Sequence, residues 1–147
     1  MITKLLTILS MLISLLTFGA CSSSKPEYIG KDMTAPSPCP DSPNCVSTLA
    51  IDAEHGIKSI AYTGTQEEAH QKITEIILGM DRSEIQASEP HYIYATYTTF
   101  LMRFVDDVEF FFDDTLKVIH FRSASRLGYS DMGVNRKRME KIRSQFQ

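Results

Sequence analysis

Several common chemical devices are missing from these 147 residues. None of the seven glycines builds a phosphate-cradling loop, no internal repeat occurs, and no low-complexity tract lies outside a short N-terminal stretch. The three cysteines contain no C-x-x-C pair, the usual spacing of a dithiol redox centre. None of the four histidines sits near a cysteine at zinc-ligand spacing. The one long apolar run, Leu5 to Phe18, is about 14 residues, short of the roughly 20 needed to cross a bilayer as a helix. What remains to explain is a greasy leader, a polar stretch, a cysteine pair and an unusual set of charged residues.

The leader carries one charge, Lys4, and no acid before Ala20. A positive start, a short apolar middle and small residues before a cut mark a secretory signal. Its end, Phe18-Gly19-Ala20-Cys21, resembles the bacterial lipoprotein signal box. That resemblance implies cleavage after Ala20, lipid on Cys21, and a domain anchored to a membrane rather than threaded through it. Ser22 in place of Asp points to the outer membrane, facing the periplasm, in a cell that has one. Residues 1–20 are therefore expected as signal peptide and residues 21–37, polar and proline-rich, as a flexible tether. Residues 38–147 are expected as a single domain.

Without the leader, 14 basic residues stand against 18 acidic ones, a net charge of −4. From Arg122 onward there are seven basic residues and two acids, so that segment is net +5. This is either the solvated face of a helix or a surface for an anionic envelope component or protein partner. Nucleic acid is not expected outside the cytoplasm. Assigning Cys21 to lipid leaves Cys39 and Cys45, an even pair around the turn Pro40-Asp41-Ser42-Pro43-Asn44. In an oxidising compartment the expected outcome is a disulfide, the alternatives being a metal pair or a redox pair.

Periodicity supplies the elements. Gly56 to Gly64 alternates and is expected as a strand. Thr65 with Glu68 three residues on forms a capping box, Ala69, Ile73, Ile76 and Ile77 recur at helical spacing, and Gly79 stops the helix. Ser83 to Glu89, the Tyr/Thr-rich run from His91 to Phe104, Val108 to Asp114 and Leu116 to Arg126 read as strands joined by short turns, hence antiparallel. Met139, Ile142 and Phe146 stripe a closing amphipathic helix. The expected fold is α+β: a two-layer sandwich with an antiparallel sheet of four to five strands and two helices on one face.

The unusual polar residues lie in "RFVDDVEF" and "RSASRLGYSDMGVNRKR". In a strand Arg122 and Arg126 share the face of Val118 and His120, while Ser123 and Ser125 share that of Ile119 and Phe121. Asp106 and Asp107 face opposite ways. Together with "SPNCVS", these segments strongly resemble the family known as domain of unknown function 1499, over about Cys39 to Phe146. The resemblance brings no activity, cofactor, metal or catalytic residue. It singles out Asp106, Asp107, Glu109, Arg122, Ser123, Ser125, Arg126, Asp131, Asn135 and Arg136, to which Tyr129 is added as a hydrogen-bond donor.

Two uses fit this cluster. In one, Arg122 or Arg126 pairs with Asp106, Asp107 or Asp131 and pins the last helix to the sheet. In the other, the arginines clamp a carboxylate or phosphate ligand. Catalysis ranks below both, since no Ser-His-Asp arrangement follows from the spacing. The functional expectation is a lipid-anchored envelope protein acting as a non-catalytic binding or structural module. The alternative is an envelope enzyme working on an anionic substrate through the Arg/Asp cluster.

Overall fold

The computed structural model describes residues 24–147; the leader and Cys21 lie outside the described residues. The chain forms β1 (Cys45–Ser47), β2 (Ile60–Ala61), α1 (Gln66–Leu78), β3 (Ser83–Glu89), β4 (Tyr92–Thr98), β5 (Val105–Asp113), β6 (Val118–Ser125) and α2 (Val134–Phe146). The six strands make one antiparallel sheet in the order β1-β6-β5-β4-β3, with β2 also on β6. The α+β architecture is as expected, with slightly more strands.

Alternation on the three central strands builds the core. Ile93 and Ala95 of β4, Val108 and Phe110 of β5, and Ile119 and Phe121 of β6 all point to one face and are wholly buried. Ile73 and Ile77 of α1 and Met139 and Ile142 of α2 close over them. Each such aliphatic side chain contributes about 1.5–3 kcal/mol by leaving water. The capping box of α1 forms as expected: Glu68 N donates to Thr65 Oγ1 at 3.1 Å and Thr65 N to Glu68 Oε2 at 2.8 Å. That satisfies two backbone donors that the first turn would otherwise leave open.

Three expectations change in detail. Only Ile60–Ala61 of the Gly56 to Gly64 stretch pairs as a strand, opposite Ile119 and Val118. The reason is competition for one edge: Cys45–Ser47, not expected as a strand, already pairs with Ala124 to Arg122. The Tyr/Thr-rich strand stops at Thr98, and residues 99–104 form the connection to β5. The third change concerns the stretch expected as a tether. Ile29 within it is buried against Tyr92, Tyr94 and Phe111, on the sheet face away from the helices. Residues 26–34 thus lie as a strap across the second face. The Cys39–Cys45 disulfide is formed, as expected.

Candidate functional site

The polar residues divide between the two faces of the sheet, because neighbours in a strand point opposite ways. On the helix face Asp106 is 1% exposed. Arg138 of α2 reaches its Oδ2 at 2.5 Å, and Ser125 Oγ donates to its Oδ1 at 2.6 Å. Arg138 also donates to Asn135 Oδ1 at 2.6 Å and to Ser123 Oγ at 3.2 Å, and its guanidinium lies over the Tyr97 ring at 4.6 Å. Asn135 is fully buried; its amide donates to Asn44 O and Ser125 Oγ, both at 3.1 Å. Asp131 caps α2, accepting from Gly133 N at 2.9 Å and Asn135 N at 2.7 Å. A carboxylate there suits the positive end of the helix dipole.

This is the expected pinning of the last helix, but with different arginines. Arg122 and Arg126 do not reach the helix; they stand on the other face. The residue that does, Arg138, was not singled out. Its signal was available: with Asn135, Met139 and Ile142 it falls on the buried stripe of α2, where a charged residue needs a partner. Asn44, in the cysteine turn, was also missed. It closes the network through its carbonyl and through its amide, which donates to Gly128 O at 2.6 Å.

On the strap face Asp107 is 2% exposed and pairs with Arg126. Arg126 Nε lies 2.9 Å from Oδ2 and Nη2 lies 2.8 Å from Oδ1, a two-pronged contact. Tyr94 Oη donates to Asp107 Oδ1 at 2.6 Å and accepts from Arg126 at 3.0 Å. The Asp107 carboxylate lifts the Arg126 pKa further, outweighing burial. Two register steps along, on the same face, Glu109 faces Arg122, each 2% exposed. Tyr92 Oη donates to Glu109 Oε1 at 2.6 Å, and Gly30 N of the strap approaches the same oxygen at 3.4 Å. Arg122 donates from Nη2 to Tyr28 Oη at 3.1 Å and stacks under that ring at 4.9 Å. Glu109 Oε2 and Arg122 Nε and Nη1 are buried with no hydrogen-bond partner. Burial pushes the Glu109 carboxyl above its usual range, despite the Tyr92 and Gly30 hydrogen bonds and the nearby guanidinium.

The remaining expected residues lie apart. Arg136 donates to the carbonyls of Gly56 and Glu54, both at 2.9 Å, and ties α2 to the loop before β2. Tyr129 projects from the β6–α2 loop, well exposed. Among the described residues the one histidine–carboxylate pair is Asp52–His55, at 2.8 Å. The other nitrogen of His55 faces the Ser42 carbonyl at 3.2 Å, not a nucleophile.

Fold and clusters together define a two-layer α+β domain carrying a closed ionic network on one sheet face and an incompletely satisfied one on the other. The chain belongs to the family described as "Protein of unknown function (DUF1499)", which matches residues 37–146. No curated protein matches the chain, and no solved structure does.

Proposed function

We propose that the chain is an exported, lipid-anchored envelope protein whose domain is a non-catalytic binding module, with Arg122 and Glu109 as its recognition pair. The observation that carries this is the two buried guanidinium nitrogens of Arg122, beneath Tyr28, and the buried Glu109 carboxylate oxygen left without partners. A buried polar group without a partner costs about 1–3 kcal/mol. A ligand that satisfies these atoms recovers that cost on binding. An anionic group suits Arg122; a hydroxyl or amine beside it suits Glu109. Tyr28 already plays the first part in miniature, its oxygen accepting from Nη2. An enzyme reading requires a base beside a nucleophile with that base held in place; Thr48 Oγ1 lies 3.1 Å from His120 Nδ1 and Ser88 Oγ 3.3 Å from His70 Nε2, but among the described residues the one carboxylate-paired imidazole is His55, which faces no hydroxyl.

The anchor rests on the Gly19-Ala20-Cys21 sequence, supported by a disulfide that suits an oxidising compartment. Growth with labelled palmitate is expected to label the parent and not Cys21→Ser. Binding is tested by calorimetry with soluble anionic cell-wall fragments. The parent is expected to bind, and Arg122→Met, folded to the same extent, to bind at least about tenfold more weakly, as for loss of one charged hydrogen bond. Equal binding by the two proteins would overturn the assignment of Arg122, and absence of binding by the parent would overturn this ligand class.

A further inference from the structure

One end of the sheet has an apolar surface that the folded core does not explain. The β4–β5 loop, residues 99–104, leaves Phe100, Leu101 and Met102 at 77%, 83% and 63% exposure. The β6–α2 loop, residues 126–133, leaves Tyr129 and Met132 at 76% and 88%. The two loops converge: Met102 and Phe104 from one and Leu127 and Met132 from the other line the same groove of about 230 Å³. Met132 also holds a φ of 55°, a left-handed backbone that a straight-chain residue rarely adopts, while burying almost nothing. Contiguous exposed apolar surface of this kind marks a contact with something else.

Charge says what that contact is. Arg82, Lys137 and Lys141 line a second depression that shares Phe100 with this surface, and the Arg82 guanidinium lies over the Phe100 ring at 5.5 Å. Arg103 sits within the first loop itself. Of the nearby acids, Asp106 is paired with Arg138 and Asp131 accepts from the Gly133 and Asn135 N–H groups, leaving Asp81. The opposite end of the sheet differs: its β5–β6 turn carries Asp113 and Asp114. Apolar tips, an exposed tyrosine and a basic rim are the pattern of a surface that dips into the headgroup layer of an anionic bilayer.

The strap begins over the middle of the sheet. Lys25 Nζ stands 5.8 Å from the centre of the Tyr94 ring, whose hydroxyl binds Arg126, and Arg126 N donates to the carbonyl of Val105, the residue after the first loop. From there the strap runs away from the loops, reaching the groove beside Phe111 and His120 at Met33 and Thr34.

We propose that the β4–β5 and β6–α2 loops dock on the anionic lipid surface, so that the domain lies against the membrane, strap side and helix side both edge-on, rather than swinging free. The proposal draws on the anchored reading for which bilayer is met, and its test separates the two.

The sequence has no tryptophan, so each tryptophan introduced is the only one present. Full-length Met102→Trp is prepared beside Leu116→Trp, exposed on the β5–β6 turn at the opposite end, with Tyr129→Trp as a second loop probe should the first disturb folding. Each protein is reconstituted with vesicles of phosphatidylcholine and phosphatidylglycerol carrying brominated acyl chains, which quench tryptophan on contact. Met102→Trp is expected to shift to the blue and lose most of its emission, Leu116→Trp to lose little, and phosphatidylcholine alone to quench Met102→Trp less. Equal quenching at both ends, none at either, or no dependence on phosphatidylglycerol would overturn the proposal. A palmitate-labelled protein with unquenched loops refutes docking and leaves the anchor standing; quenched loops without label do the reverse. Association of the lipid-free protein through these loops, without quenching by lipid, would assign the surface to a second copy instead.

Discussion

Asp106 and Asp107 are neighbours in sequence, both almost fully buried and both paired with an arginine, yet they serve different surroundings. On the helix face Asp106, Arg138, Asn135, Ser123 and Ser125 donate to and accept from one another, with Asn44 completing the set. On the strap face the Asp107–Arg126–Tyr94 contacts are as well made, but the next pair, Glu109 and Arg122, keeps unmet atoms. The same two strands thus carry a finished network on one side and an unfinished one on the other. A finished network holds elements in place; an unfinished one leaves buried polar atoms at a cost, which under the proposed reading a ligand would offset.

The largest expected effect is on the finished side. Arg138→Met leaves Asp106 buried beside one serine, and is expected to cost about 3–5 kcal/mol in urea unfolding. Adding Asp106→Leu should return much of that loss, because removing both charges removes the orphan. If Arg138→Met is nearly neutral, the helix-side network does not hold α2 to the sheet. Next comes the turn that presents Asn44. Cys39→Ser opens the small loop closed by the disulfide and is expected to cost about 2 kcal/mol, read from the urea midpoint under non-reducing conditions. Unchanged stability there would mean Asn44 is positioned without the disulfide.

A pH experiment sharpens the strap side. Burial raises the Glu109 pKa above its usual 4.5 in the folded protein. Between 4.5 and that raised value the folded state holds a proton the unfolded state has released, so stability falls as pH rises through the window. Glu109→Gln keeps an acceptor for Tyr92 and removes the titration. It is expected to be more stable than the parent at pH 7, with the advantage fading as pH drops towards 4.5. An advantage that grows on acidification would show that Glu109 is instead held ionised by Arg122.

Much of the frame was legible because it rests on periodicity. The stripes Ala69-Ile73-Ile77 and Met139-Ile142-Phe146 define both helices, and all six side chains are buried. The Cys39–Cys45 pairing was legible from the even pair around a tight turn, with export as the expected setting. Three-residue β1 was hidden because Cys45 to Ser47 follows a run of turn residues, too short to show an alternation. The strap was hidden because one buried isoleucine, Ile29, does not alter the polar composition around it. The arginine partners were half legible. Parity put Arg122 and Arg126 together, correctly, and also put them opposite Ile119 and Phe121, which are the residues a helix layer covers. That second consequence sends them to the strap face and leaves the helix side to an arginine from α2 itself.

The division between a lock and a binding pair is tested most directly by making one substitution at both arginines. Urea unfolding of Arg122→Met at pH 7, made in Glu109→Gln so that no buried carboxylate is left without its guanidinium, is expected to show a further loss of about 1 kcal/mol or less, since the one hydrogen bond given up goes to Tyr28 and two of the nitrogens have no partner to lose. Arg138→Met, measured alongside, should fall by several times as much. Equal losses at the two positions would contradict the division and return Arg122 to the scaffold.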